Sequence, residues 1–221
     1  MSIQVAIDGP AGAGKSTVSK AVAAELGFIY IDTGALYRTV ALNALRQGIS
    51  CDDESAVVSA MDKANIEIRY ENGNQKLILN GEDVSGEIRT EAVSMGASDV
   101  AKIAGVRAGL LDLQRNLAKS GNAIMDGRDI GTSILPDADI KIFLTASVFA
   151  RAKRRYDEYI QKGMEAELSA IEADIKKRDE QDMNRKVSPL KQVDDAVLVD
   201  TSDMTFEEVV ECIKNMIRKI L

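Results

Sequence analysis

The chain has 221 residues, of which 45% are hydrophobic and 29% are charged, so we expect one globular domain or one core with a small appended lobe. Its net charge of −7 argues against a nucleic-acid-binding surface, which needs an excess of lysine and arginine over acidic residues. Because the sequence contains no histidine, histidine-based triads and histidine-containing metal sites are excluded.

The sequence carries no sign of export or of membrane insertion. Met1 leads directly into a strand-like run, so we expect no signal peptide, and no apolar run approaches the roughly 18 residues of a membrane span. Cys51 and Cys212 lie far apart without a C-x-x-C motif, which is typical of reduced thiols. We therefore expect a cytoplasmic protein that binds neither nucleic acid nor membrane, and a monomer because no large apolar stripe remains unassigned.

The first predicted elements are a strand, a glycine-rich loop and a helix. Residues 3–7 form a short apolar run typical of a buried strand, and residues 17–26 carry apolar side chains on one helical face, with Gly27 as the stop signal. The loop between them has the spacing G-x-x-x-x-G-K-S/T of a phosphate-binding P-loop. The residues predicted to bind the nucleoside triphosphate are Gly9, Pro10, Ala11, Gly12, Ala13, Gly14, Lys15, Ser16 and Thr17.

The chemistry of this loop indicates a nucleoside triphosphate and Mg²⁺. Its glycines let backbone N–H groups approach phosphate oxygens, and the helix that follows adds free N–H groups and the positive end of its dipole. Lys15 can reach the β- and γ-phosphates, and the Ser16 hydroxyl can bind Mg²⁺. A plain glycine-rich turn is the alternative, and the Lys-Ser pair at the start of a helix disfavours it.

Further strands alternate with helices along the rest of the chain. Short apolar runs predict strands over 28–31, 123–125, 140–144 and 196–199, and two apolar seams at helical spacing predict helices around 106–117 and 206–217. Alternation of this kind predicts an α/β fold with a doubly wound parallel sheet. We therefore expect a three-layer fold of the P-loop NTPase type with five parallel strands.

One segment departs from this alternation. Three short strands over 66–70, 76–79 and 82–84 are separated by the turn sequences Asn72-Gly73-Asn74 and Asn80-Gly81, which predict an antiparallel sheet. We expect a small β-rich insert over 62–92 within a core formed by 1–61 and 93–221.

A highly charged segment in the second half of the core is expected to act as a lid. It covers 146–186, and Gly163 is a candidate hinge. The lid and the insert are the parts that we expect to close over the active site and exclude water. The alternative for the insert is that it only stabilises the fold.

Charged residues follow the second and third of the predicted core strands. Arg38 lies shortly after Asp32, and Arg128 lies between Asp126 and Asp129. Ligands of open parallel sheets bind beyond the carboxyl ends of the strands, so these groups should meet near the P-loop. Buried charges must be paired or used in function, which favours a binding role over a packing role.

Two further charged patterns remain ambiguous by spacing alone. Arg178, Asp182 and Arg185 would share one face if the helix before them continues, either as an exposed ion-pair ladder or as ligand contacts. The run Lys153-Arg154-Arg155 is either a solvated helix face or part of the positive charge that phosphoryl transfer requires.

Four motifs taken together resemble the bacterial cytidylate (CMP) kinases. They lie at 9–17, 30–38, 126–132 and 177–185, and the resemblance runs over nearly the full length, including the β-rich insert. The P-loop is shared by many families, whereas the segment T/S-G-x-x-Y-R combined with D-G-R-D-x-G and R-D-x-x-D-x-N-R is much narrower. The resemblance implies ATP as the donor, Mg²⁺ as the metal and CMP or dCMP as the acceptor.

The same resemblance implies how the acceptor is held. Thr33, Arg38 and Arg128 are similar to the contacts of the acceptor phosphate, with Arg185 assisting, and the bidentate fork of arginine suits that task. Thr33 stands where many relatives have serine, which preserves the hydroxyl.

The contacts of the nucleoside are likewise implied by the resemblance. Ser98, Arg107 and Asp129 are similar to the base readers, because a carboxylate can accept from the amino group of cytosine but is repelled by the carbonyl of uracil. Arg178 and Asp182 are similar to the ribose contacts.

The resemblance also implies which groups stabilise the transferring phosphoryl group. These are Lys15 and Arg154, with Arg155 as a partner. A phosphate acceptor is already ionised, so no catalytic base is needed, and positioning with charge neutralisation can suffice. Asp126 is then a ligand of Mg²⁺ through a water molecule, together with Ser16.

Two alternatives to this function remain open. The first is a P-loop kinase of another small acceptor, such as a different nucleotide or shikimate. The second is a nucleotide-dependent switch, which would need a guanine-reading motif such as N/T-K-x-D, and none is evident.

Overall fold

The computed structural model describes residues 2–71 and 73–221, so Met1 and the Asn72 part of the predicted turn lie outside the described residues. The described strands are β1 (Gln4–Asp8), β2 (Ile29–Asp32), β3 (Ile66–Glu71), β4 (Asn74–Leu79), β5 (Glu82–Asp83), β6 (Ala123–Gly127), β7 (Ile140–Thr145) and β8 (Val197–Asp200). The described helices are α1 (Lys15–Leu26), α2 (Thr33–Arg46), α3 (Glu54–Asp62), α4 (Glu91–Val100), α5 (Ala104–Lys119), α6 (Val148–Gln161), α7 (Leu168–Asn184) and α8 (Phe206–Arg218).

Five strands form the central sheet in the order β2-β6-β1-β7-β8, and every neighbouring pair is parallel. Helices α1 and α8 pack on one side of this sheet, and α5 packs on the other, so that each face has its own buried apolar cluster. The predicted fold class is therefore confirmed. The five core strands predicted from the sequence agree with the observed ones to within one or two residues at each end.

Local sequence explains where the helices that border the site begin and end. Gly14 and Gly27 flank α1 with φ of 87° and 69°, a left-handed conformation that glycine adopts without strain. Asp32 caps α2, because its carboxylate accepts from the N–H of Ala35. Helix α2 therefore starts directly at the carboxyl end of β2, whereas α1 starts after the glycine loop that follows β1.

The insert forms a second, antiparallel sheet in the order β3-β4-β5. Asn80 and Gly81 connect β4 to β5 with φ of 51° and 89°, as expected for the Asn-Gly turn predicted from the sequence. One face of this sheet is apolar, and its Leu77 and Leu79 share a buried cluster with Leu36 of α2. The insert therefore packs directly on a helix that leads out of the site.

Helices α6 and α7 form a hairpin with a small apolar cluster of its own around Ala152, Ile171 and Ile175. Gly163 lies between them with φ of 70°. By sequence, Arg178, Asp182 and Arg185 were expected to share one helical face only if the helix continued through Arg185. It does not, because α7 ends at Asn184 and the Arg185 backbone is extended, with ψ of 142°. Within residues 2–71 and 73–221, no helix is long and apolar enough to cross a bilayer.

Candidate active site

A cleft of about 470 Å³ opens at the carboxyl ends of β1, β2 and β6. All the predicted site residues line it except Gly9, Pro10 and Ala13, which are buried within the P-loop. Among the described residues, nine cationic side chains and five carboxylates line the cleft. The cleft therefore carries a surplus of four positive charges in a chain whose net charge is −7, which is the environment that a polyanion requires.

The P-loop owes its shape to glycines in conformations that other residues avoid. Gly9, Gly12 and Gly14 have φ of 149°, 75° and 87°. A side chain at Gly9 would also collide with the neighbouring strand, because a Cβ there would lie 1.9 Å from the carbonyl oxygen of Leu144. The loop can therefore bring its N–H groups toward a ligand only with glycine at these positions.

Lys15 is buried at the start of α1, and its Nζ donates to the carbonyl oxygen of Pro10 at 2.8 Å. Burial, followed by the positive charge of Arg128, lowers the pKa of Lys15 well below its usual range. An ammonium group in this position gains strongly from an anion, because the anion would offset both penalties.

Ser16 and Asp126 meet at the floor of the cleft. The Ser16 hydroxyl donates to Asp126 Oδ2 at 2.6 Å, and the Tyr30 hydroxyl donates to Oδ1 at 3.1 Å. Burial, and next the charge of Asp32, raises the pKa of Asp126 to about 6. A hydroxyl and a carboxylate are hard oxygen donors, and Mg²⁺ is commonly held by one or two such groups together with substrate phosphates, so this pair fits the predicted metal.

Arg38 and Thr33 stand at the start of α2, facing the P-loop. Arg38 Nη2 donates to Asp32 Oδ2 at 2.7 Å, while its Nε is buried and, among the described residues, has no hydrogen-bond partner. The Thr33 hydroxyl donates to the carbonyl oxygen of Asp126 at 2.8 Å. A phosphate at this point would satisfy the Arg38 Nε and would compete with a carbonyl for the Thr33 hydroxyl.

Asp129 lies between two arginines on the wall of the cleft. Arg107 donates to one carboxylate oxygen of Asp129, and Arg185 Nη2 lies 3.4 Å from the other. The Arg107 guanidinium also lies over the ring of Tyr37, 5.4 Å from its centroid. Each carboxylate oxygen keeps a second lone pair, so Asp129 can still accept a hydrogen bond from a ligand.

Arg128 and Asp182 form the link between β6 and α7. Arg128 Nε donates to Asp182 Oδ2 at 2.9 Å. One turn earlier in α7, Arg178 has a buried Nε without a hydrogen-bond partner in the described part of the chain. Burial, and then the charge of Arg128, lowers the pKa of Arg178 to about 10. This second unpaired guanidinium donor again points to an anionic or oxygen-rich ligand.

Two of the remaining predicted residues have partners at the rim. Arg154 donates to the backbone oxygen and to the hydroxyl of Thr201, in the segment that follows β8. The backbone oxygen of Ser98 lies 3.4 Å from the side-chain amide of Gln181. Arg154, Ser98 and Arg155 all line the cleft.

Arg151 is a site residue that the sequence reasoning missed. It is 4% exposed, and its guanidinium donates to both carboxylate oxygens of Asp179 and to the P-loop carbonyl of Ala11 at 3.0 Å. The only sequence signal was its spacing of three residues before Arg154 on the same helix. This pair ties α6 and α7 to the phosphate loop.

Asp8 is the second residue that was missed. It ends β1, and its two carboxylate oxygens accept from the N–H groups of Ile130 and Gly131, each at 2.8 Å. Burial is the main cause that raises the pKa of Asp8 to about 6. Because Ile130 and Gly131 come directly after Asp129, Asp8 fixes the backbone on which the predicted base reader stands. No local motif in the sequence indicates a bond across 122 residues.

The fold and the site together define the class of the protein. A glycine loop of this type, on a parallel sheet and facing a second cationic site, is typical of a P-loop phosphotransferase, which transfers a phosphoryl group from a nucleoside triphosphate to a second, anionic substrate.

Within that class, residues 5–219 match the family model described as cytidylate kinase. The chain is 48% identical over 217 residues to the cytidylate kinase of Lactobacillus johnsonii, covering 98% of this chain and 94% of that protein. It is 48% identical over 219 residues to the cytidylate kinase of Caldicellulosiruptor bescii, covering 99% and 97%. The chain therefore belongs to the cytidylate kinase family, and the resemblance seen in its motifs is confirmed.

A comparison of folds finds more distant similarities. The shikimate kinase of Bacteroides thetaiotaomicron is 14% identical to this chain with a TM-score of 0.49, and the alignment covers 99% of each chain.

Proposed function

We propose that the protein transfers the γ-phosphoryl group of ATP, in the presence of Mg²⁺, to CMP or dCMP and so forms ADP with CDP or dCDP. The observation that carries the proposal is the cleft, in which a P-loop faces a surplus of positive charge around the buried carboxylate of Asp129. Two anionic substrates would neutralise that surplus, and Asp129 would read the acceptor base. The names of relatives that cover nearly the whole chain support the same acceptor.

On the donor side, the P-loop N–H groups and the start of α1 would hold the phosphates of ATP. Lys15 would exchange the Pro10 carbonyl for phosphate oxygens, which are the stronger partners of a buried ammonium group. Mg²⁺, when bound, would supply a Lewis acid that offsets charge on the phosphates. Ser16 would hold it directly, and Asp126 would hold it through a water molecule.

On the acceptor side, Arg38, Arg128 and Arg185 would bind the phosphate of CMP, with the Thr33 hydroxyl assisting. The buried and unpaired Nε of Arg38 supports this assignment, since a phosphate oxygen would satisfy it. The carboxylates that now pair with Arg38 and Arg128 would hold their guanidinium groups in orientation for bidentate contacts.

The nucleoside of the acceptor would be held by a second group of side chains. Asp129 would accept from the exocyclic amino group of cytosine, assisted by Arg107 and Ser98, which also line the cleft. Arg178 and Asp182 would contact the ribose, where the unpaired Nε of Arg178 supports a ligand-facing role.

The reaction requires positioning rather than a catalytic base. An ionised oxygen of the acceptor phosphate attacks the γ-phosphorus, the bond from that phosphorus to the bridging oxygen breaks, and the electron pair leaves on ADP. No proton has to be removed, which fits a chain without histidine. Lys15 and Arg154, with Arg155, would stabilise the negative charge on the transferring group.

Closure would protect this transfer from water. The insert over 62–92 and the lid over 146–186 would move toward each other when both nucleotides bind, with Gly163 as a hinge. Solution scattering with and without both nucleotides tests this, and identical profiles would contradict closure.

The test of the proposed function is a panel of acceptors. With Mg²⁺ and ATP, phosphoryl transfer is measured to CMP, dCMP, UMP, AMP and shikimate, and we expect CMP or dCMP to be among the best acceptors. A preference for AMP or shikimate would overturn the acceptor assignment. A bisubstrate analogue that joins adenosine to cytidine through phosphates should bind more tightly than ATP, whereas a switch protein would ignore its cytidine half.

A further inference from the structure

Strand β2 forms one edge of the central sheet, so half of its backbone groups face away from the other strands. The N–H of Ile29 donates to the backbone of Asn122 beside β6, which places the odd-numbered residues of β2 on the paired side. Tyr30 and Asp32 therefore present their backbone groups outward. Unpaired groups of this kind need a partner or a cover.

Two side chains of the insert supply that partner. The Tyr70 hydroxyl donates to the carbonyl oxygen of Tyr30 at 3.1 Å. Gln75 makes two bonds to Asp32: its Oε1 accepts from the Asp32 N–H at 2.8 Å, and its Nε2 donates to the Asp32 carbonyl oxygen at 3.2 Å. The carboxamide of Gln75 thus acts as the peptide of an additional strand would, because it offers one acceptor and one donor to the same residue.

Asp32 is the residue on which the acceptor-phosphate side of the site depends. Its Oδ1 accepts from the N–H of Ala35 at 2.9 Å and caps α2, while its Oδ2 pairs with Arg38 at 2.7 Å. The space around this pair is tight, since a Cβ at Gly34 would lie 3.2 Å from Asp32 Oδ1 and 3.3 Å from Arg38 Nη1. A shift of the Asp32 backbone would therefore move the Arg38 guanidinium.

We propose that Gln75 is a positioning residue of the acceptor-phosphate site, because it holds both backbone groups of Asp32 and thereby sets the orientation of the Arg38 guanidinium. This inference rests on the proposed function and gives the insert a role at a distance: a side chain outside the cleft determines how well the cleft binds phosphate. Gln75 itself does not line the cleft.

The chemistry of Gln75 distinguishes it from near-isosteric residues. Glutamate would keep an acceptor for the Asp32 N–H, but it would lose the donor to the Asp32 carbonyl oxygen and would add a negative charge beside it. Alanine would lose both bonds. Asparagine is one methylene shorter and would draw the carboxamide away from Asp32.

The experiment compares Gln75→Ala and Gln75→Glu with wild type and with a matched insert variant, Arg69→Gln. The Arg69 side chain is 56% exposed, and in the described part of the chain its ion pair is with Glu67 of the insert, so its replacement alters the insert without touching β2. For each protein, calorimetry gives the Kd of CMP and of cytidine, steady-state kinetics give the KM of CMP and of ATP, and thermal melts report folding.

We expect Gln75→Ala to raise the Kd of CMP by about fivefold to twentyfold, the loss that one to two hydrogen bonds predict, and to leave the Kd of cytidine unchanged. Cytidine lacks the phosphate, so only a defect in the phosphate site separates the two ligands. Gln75→Glu should also raise the Kd of CMP above the wild-type value and leave the Kd of cytidine unchanged. Arg69→Gln should match wild type for both ligands. The KM of ATP should not change in any of them.

Equal losses for CMP and cytidine, or no loss for either, would overturn the positioning role. If the alanine variant fails to fold, Gln75→Glu, which has nearly the same shape as glutamine, decides the question by the same ratio of affinities. Absence of CMP phosphorylation by wild type would overturn the proposed function alone, because the ratio of the two affinities would still test Gln75. Equal affinity of wild type for CMP and cytidine would overturn both.

Discussion

The two parts of the cleft that we propose to bind the phosphate donor and the acceptor, the donor half and the acceptor half, are built on opposite principles. The donor half consists of consecutive residues, 9–17, and offers mainly backbone N–H groups whose positions are fixed by glycine conformations and by the start of α1. The acceptor half consists of side chains from α2, α4, α5, α7 and the segments that follow β6 and α7, which no continuous segment brings together. The donor half depends on glycines at fixed positions of one loop, whereas the acceptor half is only as accurate as the contacts that hold each side chain.

The contacts that hold the arginines of the acceptor half are ion pairs. A bound phosphate would either bind the arginine alongside its carboxylate partner or replace that partner. Arg38 is held by Asp32, Arg128 by Asp182 and Arg107 by Asp129. A guanidinium group that is already oriented loses less conformational entropy when it binds phosphate. We therefore expect a substitution in the donor half to affect activity mainly through the loop residue that is replaced. In the acceptor half, we expect replacement of a neighbouring carboxylate to affect activity as well, because it orients an arginine.

The largest effect should come from Lys15, the one predicted cationic side chain of the donor half. We expect Lys15→Met to lower kcat by on the order of 10³-fold to 10⁵-fold, as removal of a cation from a phosphoryl-transfer site does. Steady-state kinetics with CMP and ATP measure the loss. Lys20→Met, on the exposed face of α1, is the control and should behave as wild type. A loss below tenfold would mean that the backbone alone carries the donor half.

The next effect tests the link between the halves, in which Arg151 joins the P-loop carbonyl of Ala11 to Asp179 of α7. We expect Arg151→Met to lower the free energy of unfolding by about 3–5 kcal/mol, because it leaves the Asp179 carboxylate buried and unpaired. Urea denaturation of wild type and of the variant measures this difference in the free energy of unfolding. Replacing Asp179 by leucine in the same protein should recover much of the loss, and an equally unstable double variant would show that the pair acts through packing alone.

Sequence information was sufficient for the donor half because its determinants are local. The spacing of Gly9, Gly14 and Lys15 between an apolar strand and a helix predicts the loop, and the loop has the predicted conformation. The five-stranded sheet was predictable for the same reason, since each strand is a short apolar run of its own.

The acceptor half was predictable only through its resemblance to a family. By spacing alone, the pattern at Arg178, Asp182 and Arg185 favoured an exposed ion-pair ladder over ligand contacts, and Arg185 proved to lie outside α7. Arg151 and Asp8 were missed because their partners, Asp179 and the N–H groups after Asp129, are distant in sequence. Contacts of this kind depend on the tertiary structure, and a single sequence does not record them.

A third prediction concerns Asp8, which joins the end of β1 to the turn after Asp129. Burial raises the pKa of Asp8 from an ordinary value near 3.8 to about 6, so the folded protein binds a proton that the unfolded chain releases between these values. The stabilisation from this proton is therefore complete below about pH 4 and is lost as the pH rises toward 6, by up to about 3 kcal/mol for a shift of about two units.

Asp8→Asn removes the titration and should give a flatter dependence of the free energy of unfolding on pH in this window. Denaturant titrations at several pH values measure it, with the exposed Asp62→Asn as the control. Asp126, whose pKa is also raised to about 6, remains in all three proteins and cancels in the comparison. Parallel pH profiles of wild type and Asp8→Asn would contradict the assignment.

The smallest effect concerns Asp129 and tests how strongly the acceptor half prefers CMP over UMP. We expect Asp129→Ala to lower the ratio of kcat/KM for CMP to that for UMP by roughly tenfold, since one base-reading contact is worth about 1–3 kcal/mol. Asp129→Asn makes the test independent of folding defects, because its amide can donate to the uracil carbonyl while one oxygen still faces Arg107. The asparagine variant should therefore favour UMP more than the alanine variant does. If both variants keep the wild-type ratio, the base is read by Arg107 and Ser98 without Asp129, and the carboxylate serves to orient the arginines.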